Sequence, residues 1–237
     1  LTMSRTKEIA LVLQDEILRG QYRPGERLPS ERDVAIRFGT SRGTVREAFK
    51  KLDQLGIASV QPGGARVVPV EECTLDVLGP LLDMNQLPDP VLIKQVTDVL
   101  SLLAGFAVRS FIERATEAEV AEAKAALDML QKAKKEKQGQ TFRKLLRLFV
   151  VGSDSLVLRL ITNGLRMQFL PRIEATGFMP TPDPQLVSKI VDGMRDSLDR
   201  KDLKELSEGI QKLVNVFGDS LIQFLREANS QGNGASA

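Results

Sequence analysis

The chain has 237 residues, 42% hydrophobic and 27% charged, with a formal net charge of +2, a globular profile for one large or two modest domains. It contains no histidine, which removes the commonest general base and transition-metal ligand, and a single cysteine, Cys73, which excludes an internal disulfide and fits a reducing, cytoplasmic compartment. There is no uninterrupted apolar run long enough to cross a bilayer and no apolar leader segment, so neither a membrane partner nor a secretory signal is expected.

The charge is unevenly spread. Residues 1–70 carry 12 basic and 8 acidic residues, a balance of +4, and the remainder carries 21 and 23, a balance of −2. A basic N-terminal part on an acidic remainder points to a polyanionic partner for the first part. No calcium loop, no Gly-x-Ser-x-Gly elbow and no phosphate-cradling glycine loop with lysine occurs. No catalytic residues, cofactor or metal are therefore expected, and an enzyme is not the reading.

In chain order, "SRTKEIALVLQDEILRG" places Ile9, Val12, Leu13 and Ile17 at helical spacing and ends at Gly20. "YRPGERLP" is a turn. Ser30 caps a second helix, with Asp33 three residues on, and Val34, Ala35 and Phe38 give it a buried side. Gly39 closes it in the left-handed region. Ser41 caps a third helix running to about Leu55, with Val45, Ala48, Phe49 and Leu52 as its apolar stripe. Arg42, Arg46 and Lys50 fall at i, i+4 and i+8 beside that stripe, an exposed basic ridge. "IASVQPGGARVVPV" reads as a hairpin turning at Pro62-Gly63-Gly64.

Two helices, a tight turn, a third helix and a hairpin make a winged helix-turn-helix, with the third helix expected to enter the major groove N-terminus first. Ser41 and the free amides of the helix start can hold a phosphate. Arg42 and Arg46 can reach guanine edges or phosphates, and Arg32 is placed to grip backbone. Gly63 and Gly64 let main chain approach the duplex closely. Arg37 gains no role and is expected to be solvated.

Beyond residue 70 the sequence predicts a connecting region (71–90), a helical domain of about six or seven helices (91–228) and a flexible tail (229–237). The fold class is mainly α, with a small β-hairpin wing. Thr116 and Glu119 are spaced as a capping box. In "DSLVLRLITNGLRMQFLPRIEAT", Leu156, Leu160, Asn163, Met167 and Leu170 form a stripe expected to be buried. A buried Asn163 amide needs a partner, in a ligand or in neighbouring backbone. Arg143 and Arg147, at i and i+4, are either solvated or able to bind a carboxylate or phosphate head group.

The segment "YRPGERLPSERDVAIRFGTSRGTVREAFKKLDQLGIASVQPGGARVV" resembles the DNA-binding domain of the GntR family of bacterial transcription regulators. Pro-Gly, Leu-Pro-Ser-Glu-Arg, Ser-Arg-x-Thr-Val-Arg-Glu-Ala and the Leu-x-x-x-Gly ending carry the resemblance. It implies operator contacts by Arg32, Arg42 and Arg46, assisted by Ser41, Thr44, Gly63 and Gly64. Pro62 stands where some members of the fatty-acid-responsive branch carry a base-reading histidine.

The helical remainder resembles the effector domain of the FadR branch, through "ERAT" at 113–116 and "SDSLVLRLITNGL" at 153–165. Many members hold a metal through one aspartate and three histidines, positions that fall here on Phe142, Arg147, Val191 and Leu213. A common arginine and glutamate fall on Leu100 and Ala104. The resemblance thus implies a metal-free, apolar pocket lined by Leu100, Ala104, Arg147, Val191 and Leu213, to which the helical spacing adds Asn163. A fatty acyl chain or acyl-CoA is the favoured effector, ahead of a small organic acid held by arginine or no effector at all. Binding to a palindromic double-stranded operator as a homodimer is expected.

Overall fold

The computed structural model describes residues 4–234, with side chains to residue 230. The chain divides into two compact units, residues 1–86 and 87–237.

In the first unit, α1 (Arg5–Leu18), α2 (Glu31–Phe38) and α3 (Arg42–Gln54) are followed by β1 (Ala58–Gln61) and β2 (Gly64–Val67). Each helix starts on a serine. The side-chain oxygens of Ser4, Ser30 and Ser41 accept from the backbone amides of Lys7, Asp33 and Thr44. Gly39 sits at φ 58, ψ 44, the left-handed conformation that turns α2 sharply into α3. The core joins Ile9, Leu13 and Ile17 of α1, Val34 of α2, Val45, Phe49 and Leu52 of α3 and Ile57, Ala65 and Val67 of the hairpin.

The strands pair antiparallel from Ala58↔Val67 to Gln61↔Gly64, leaving Pro62-Gly63 as the tip. The turn before α2 lies along the other edge of β2. Gly25 and Leu28 donate backbone bonds of 2.9 Å to the Val67 and Ala65 carbonyls, and Val67 returns one of 2.9 Å to Glu26. An isolated antiparallel bridge joins Arg27 to Arg66. After the wing, 3-10 turns at Val70–Glu72 and Leu75–Val77 lead into α4 (Leu78–Leu82), and Val77 joins the first unit's core.

The second unit is a bundle of α5 (Pro90–Ile112), α6 (Glu117–Gln131), α7 (Lys135–Gly152), α8 (Leu156–Ala175), α9 (Pro184–Arg200) and α10 (Leu203–Gly234). The 23-residue α5 is the central helix and packs chiefly on α10, with α7 and α8 on other sides. It is long and apolar enough to cross a membrane by length and composition only. Its buried residues Ala104, Ala107, Val108 and Phe111 belong to one core cluster with Leu127, Phe149, Met194 and Ile210. Gly105 and Gly218 lie on the α5–α10 contact, where a Cβ would press on Gln211 and Ser207 from α10 and on Thr97 from α5 respectively.

Two boundaries differ from the sequence expectation. Where "EAEVAEAKAALDMLQKAKKEK" reads as one helix, α6 ends at Gln131 and α7 begins at Lys135. The apolar stripe of α6 stops at Leu130, and "KAKKEK" offers no large apolar side chain to hold a further turn against the core. The expected tail at 229–237 is helical as far as Gly234, because adding residues to an already nucleated helix costs little. Residues 235–237 lie outside the described part.

Candidate nucleic-acid interface

The N-terminal end of α3 collects the basic side chains expected to face DNA. Arg32, Arg42 and Arg46 are all exposed. Arg32 and Arg42 flank a shallow depression floored by Ala35, Ile36, Gly39 and Thr40, so the turn brings the first turns of α2 and α3 to one face. The Ser41 hydroxyl is committed to the helix start. It accepts from the Thr44 amide at 3.2 Å and lies 3.0 Å from the Thr44 hydroxyl. What Ser41 and Thr44 contribute directly is thus a fixed α3 N-terminus, with its positive dipole end presented outward.

Arg46 does not stand alone. Its Nε and Nη2 each donate 2.9 Å bonds to the two carboxylate oxygens of Glu31, in the first turn of α2. The guanidinium holds the Glu31 carboxyl below the usual carboxylate range, and the same bond raises Arg46 above the usual arginine value. Further along the ridge, Lys50 pairs with Glu47 at 2.8 Å.

At the wing, Gly63 and Gly64 are exposed and take φ values of 105 and 129. Arg27 reaches across the tip and donates to the Gly63 carbonyl. A Cβ on Gly63 would stand 3.0 Å from Arg27 Nη2, and one on Gly64 3.2 Å from its Nε. The glycines therefore leave room for an arginine, and Arg27 adds a cation at the wing tip. Arg66 on β2 reaches the turn before α2 through a 2.9 Å bond to the Gly25 carbonyl.

Arg37 is not merely solvated, contrary to the sequence expectation. It donates to both carboxylate oxygens of Glu16 on α1 and lies 4.9 Å over the Phe38 ring. The sequence reading also passed over Glu31 and Arg27. Their partners lie 15 and 36 residues away, beyond the reach of any local pattern.

The bundle candidates divide between the core and the surface. Ala104, Val191 and Leu213 belong to one packed core, with Leu100 against its edge. Phe142, in the same core, stacks on Phe217 with ring centroids 4.1 Å apart. Arg147 is exposed, and Arg143 reaches Glu174 at 3.3 Å. The expected buried stripe on α8 is a correction. Asn163 is exposed, as are Leu156, Leu160 and Met167, while Leu158, Leu165 and Ile173 are the residues α8 buries. The helix is apolar on two sides, and packing selected the other one.

Residues 5–68 match the model of the bacterial regulatory proteins of the gntR family. The N-terminal unit is a GntR-family domain. The galactonate operon transcriptional repressor of Escherichia coli K12 is 32% identical over 132 residues, 54% of this chain and 57% of that protein. The regulator Mce2R of Mycobacterium tuberculosis CDC 1551 is 38% identical over 81 residues, 33% of this chain and 34% of that one. The chain thus spans between about a third and somewhat over half of these relatives' lengths. A GntR family member from Pseudomonas syringae pv. tomato DC3000 has a similar structure, with a TM-score of 0.50 at 19% identity over 96% of this chain and 88% of that one. At that identity the likeness concerns the fold alone: a winged helix-turn-helix followed by a helical domain. The family and these relatives are transcription regulators, not enzymes.

Proposed function

We propose that this GntR-family protein is a transcription regulator of the FadR branch that binds a palindromic operator as a homodimer. The observation that carries this reading is the exposed cluster of Arg32, Arg42 and Arg46 around the capped start of α3. Arg32 grips backbone, Arg42 and Arg46 point into the major groove, and the Gly63-Gly64 tip with Arg27 approaches the neighbouring groove or phosphates.

One reading helix per chain calls for a second copy. The bundle offers a matching surface. Val99, Leu102 and Phe106 of α5 and Leu156, Val157, Leu160 and Met167 of α8 are exposed on two helices that pack against each other. Unpartnered apolar side chains in this density mark an interaction face, and isologous pairing would bury them.

For control by a ligand, the packing favours a regulator whose bundle centre is structural over one holding a fatty acyl chain or a small organic acid. The support is the filled core at Ala104, Val191 and Leu213 and the Phe142–Phe217 stack. A thermal-shift panel of acyl-CoAs and small sugar acids tests this: a specific upward shift by either class would defeat the structural reading of the bundle. For the DNA reading, selection from a random duplex pool should enrich an inverted repeat. Recovery of no enriched sequence would remove the assignment.

A further inference from the structure

We infer that Glu31 is a positioning residue for base reading, occupying the Nε–Nη2 edge of the Arg46 guanidinium so that its Nη1–Nη2 end is presented to a guanine. The inference rests on the DNA-binding reading above. Arginine has five N–H donors in a rigid planar fork. Glu31 takes the Nε–H and one Nη2–H, through the two 2.9 Å bonds. The donors left over are both on Nη1 and the second on Nη2. One from each nitrogen forms a parallel pair, the geometry that matches O6 and N7 of guanine in the major groove.

Three further features support a positioning role. Glu31 lies in the first turn of α2, whose backbone is fixed by the Ser30 cap, so the carboxylate is anchored close to its own main chain. Its side chain is 30% exposed while that of Arg46 is 60% exposed, so the carboxylate backs the guanidinium and the guanidinium faces outward. The pair also neutralises itself. A phosphate attracts net charge, whereas a base edge recognises the direction of donors. Backed by Glu31, Arg46 loses much of its general attraction for the duplex and keeps its directional donors. Arg42, one turn earlier and also exposed, retains the cationic role.

The test uses the full chain and the duplex enriched from a random pool by the wild type, with an unrelated random duplex as the non-specific probe. Glu31→Gln should lower the ratio of operator to random-duplex affinity by about tenfold. Random-duplex binding should tighten, with its log–log salt dependence steeper by about one. Glu31→Asp keeps the charge but lacks the reach, and should lower the ratio without steepening the salt dependence. In an Arg46→Ala background neither change should alter the ratio. Thermal melts identify any variant that fails to fold, and the other variant then decides. A purely electrostatic Glu31 would raise both affinities equally, and an unchanged ratio in both variants overturns the inference while leaving DNA binding intact. Failure of the wild type to enrich any sequence would instead overturn the underlying reading.

Discussion

Glu16 on α1 and Arg37 on α2 form a two-point ion pair, with Arg37 Nη1 donating to Glu16 Oε2 at 3.0 Å and Nη2 to Oε1. The carboxylate is nearly covered, its side chain 10% exposed, and Tyr22 donates a third bond at 3.3 Å. Arg37→Ala would leave a largely buried carboxylate with the tyrosine alone. The expected cost is about 1.5–3 kcal/mol of stability in the N-terminal unit, the range for hydrogen bonds to charged groups. Chemical denaturation of the variant checks it; a loss near zero would show the pair to be superficial.

The same pair sets a pH dependence. Hydrogen bonding to Arg37 holds Glu16 below the usual carboxylate range despite its burial, and Arg46 does the same for Glu31. A depressed carboxyl contributes stability above its unfolded value of about 4.3 and loses it as pH falls through the lower native value. Melting temperature should therefore decline below roughly pH 4.3. Glu16→Gln should be less stable at neutral pH and show a shallower acid decline. Superimposable acid profiles for variant and wild type would contradict this.

At the wing tip, Gly63→Ala would impose a Cβ at φ 105 and press on Arg27. The expected stability cost is about 1 kcal/mol, as for other side chains forced into positive φ. Operator affinity should fall further, because the displaced Arg27 and tip both face the proposed duplex. Binding isotherms alongside melts separate the two effects, and equal losses in both would confine the glycine to folding.

The α5–α8 face predicts an assembly phenotype. Leu102→Glu with Phe106→Glu adds charge where the wild type exposes apolar side chains, so folding should be little affected. Each such side chain contributes about 1.5–3 kcal/mol when fully buried. The pair of changes should thus weaken self-association by at least about a hundredfold in sedimentation experiments. An unchanged dimer would place the interface elsewhere.

The features legible in the sequence are the ones written locally. Ser30, Ser41 and Thr116 cap helices within three residues of their partners, and Gly39 marks its own left-handed turn. Periodicity also placed the α3 stripe, because that helix has one apolar side. It failed on α8, where Leu156, Leu160 and Met167 share a spacing as regular as that of Leu158, Leu165 and Ile173. Only tertiary packing distinguishes two such stripes. Glu16–Arg37, Glu31–Arg46 and Arg27–Gly63 were illegible for a different reason: each joins elements whose approach depends on the whole winged helix.

The central claim is that Arg42 and Arg46 at the start of α3 engage operator DNA. Fluorescence-anisotropy titration of the selected operator with wild type, Arg42→Ala and Arg46→Ala, at two salt concentrations, tests it most directly. Each substitution should cost about 1–3 kcal/mol on the operator if the arginine reads a base. Arg46→Ala should leave random-duplex binding close to wild type. Operator affinities that match the wild type for both variants would contradict the assignment of α3 as the reading helix.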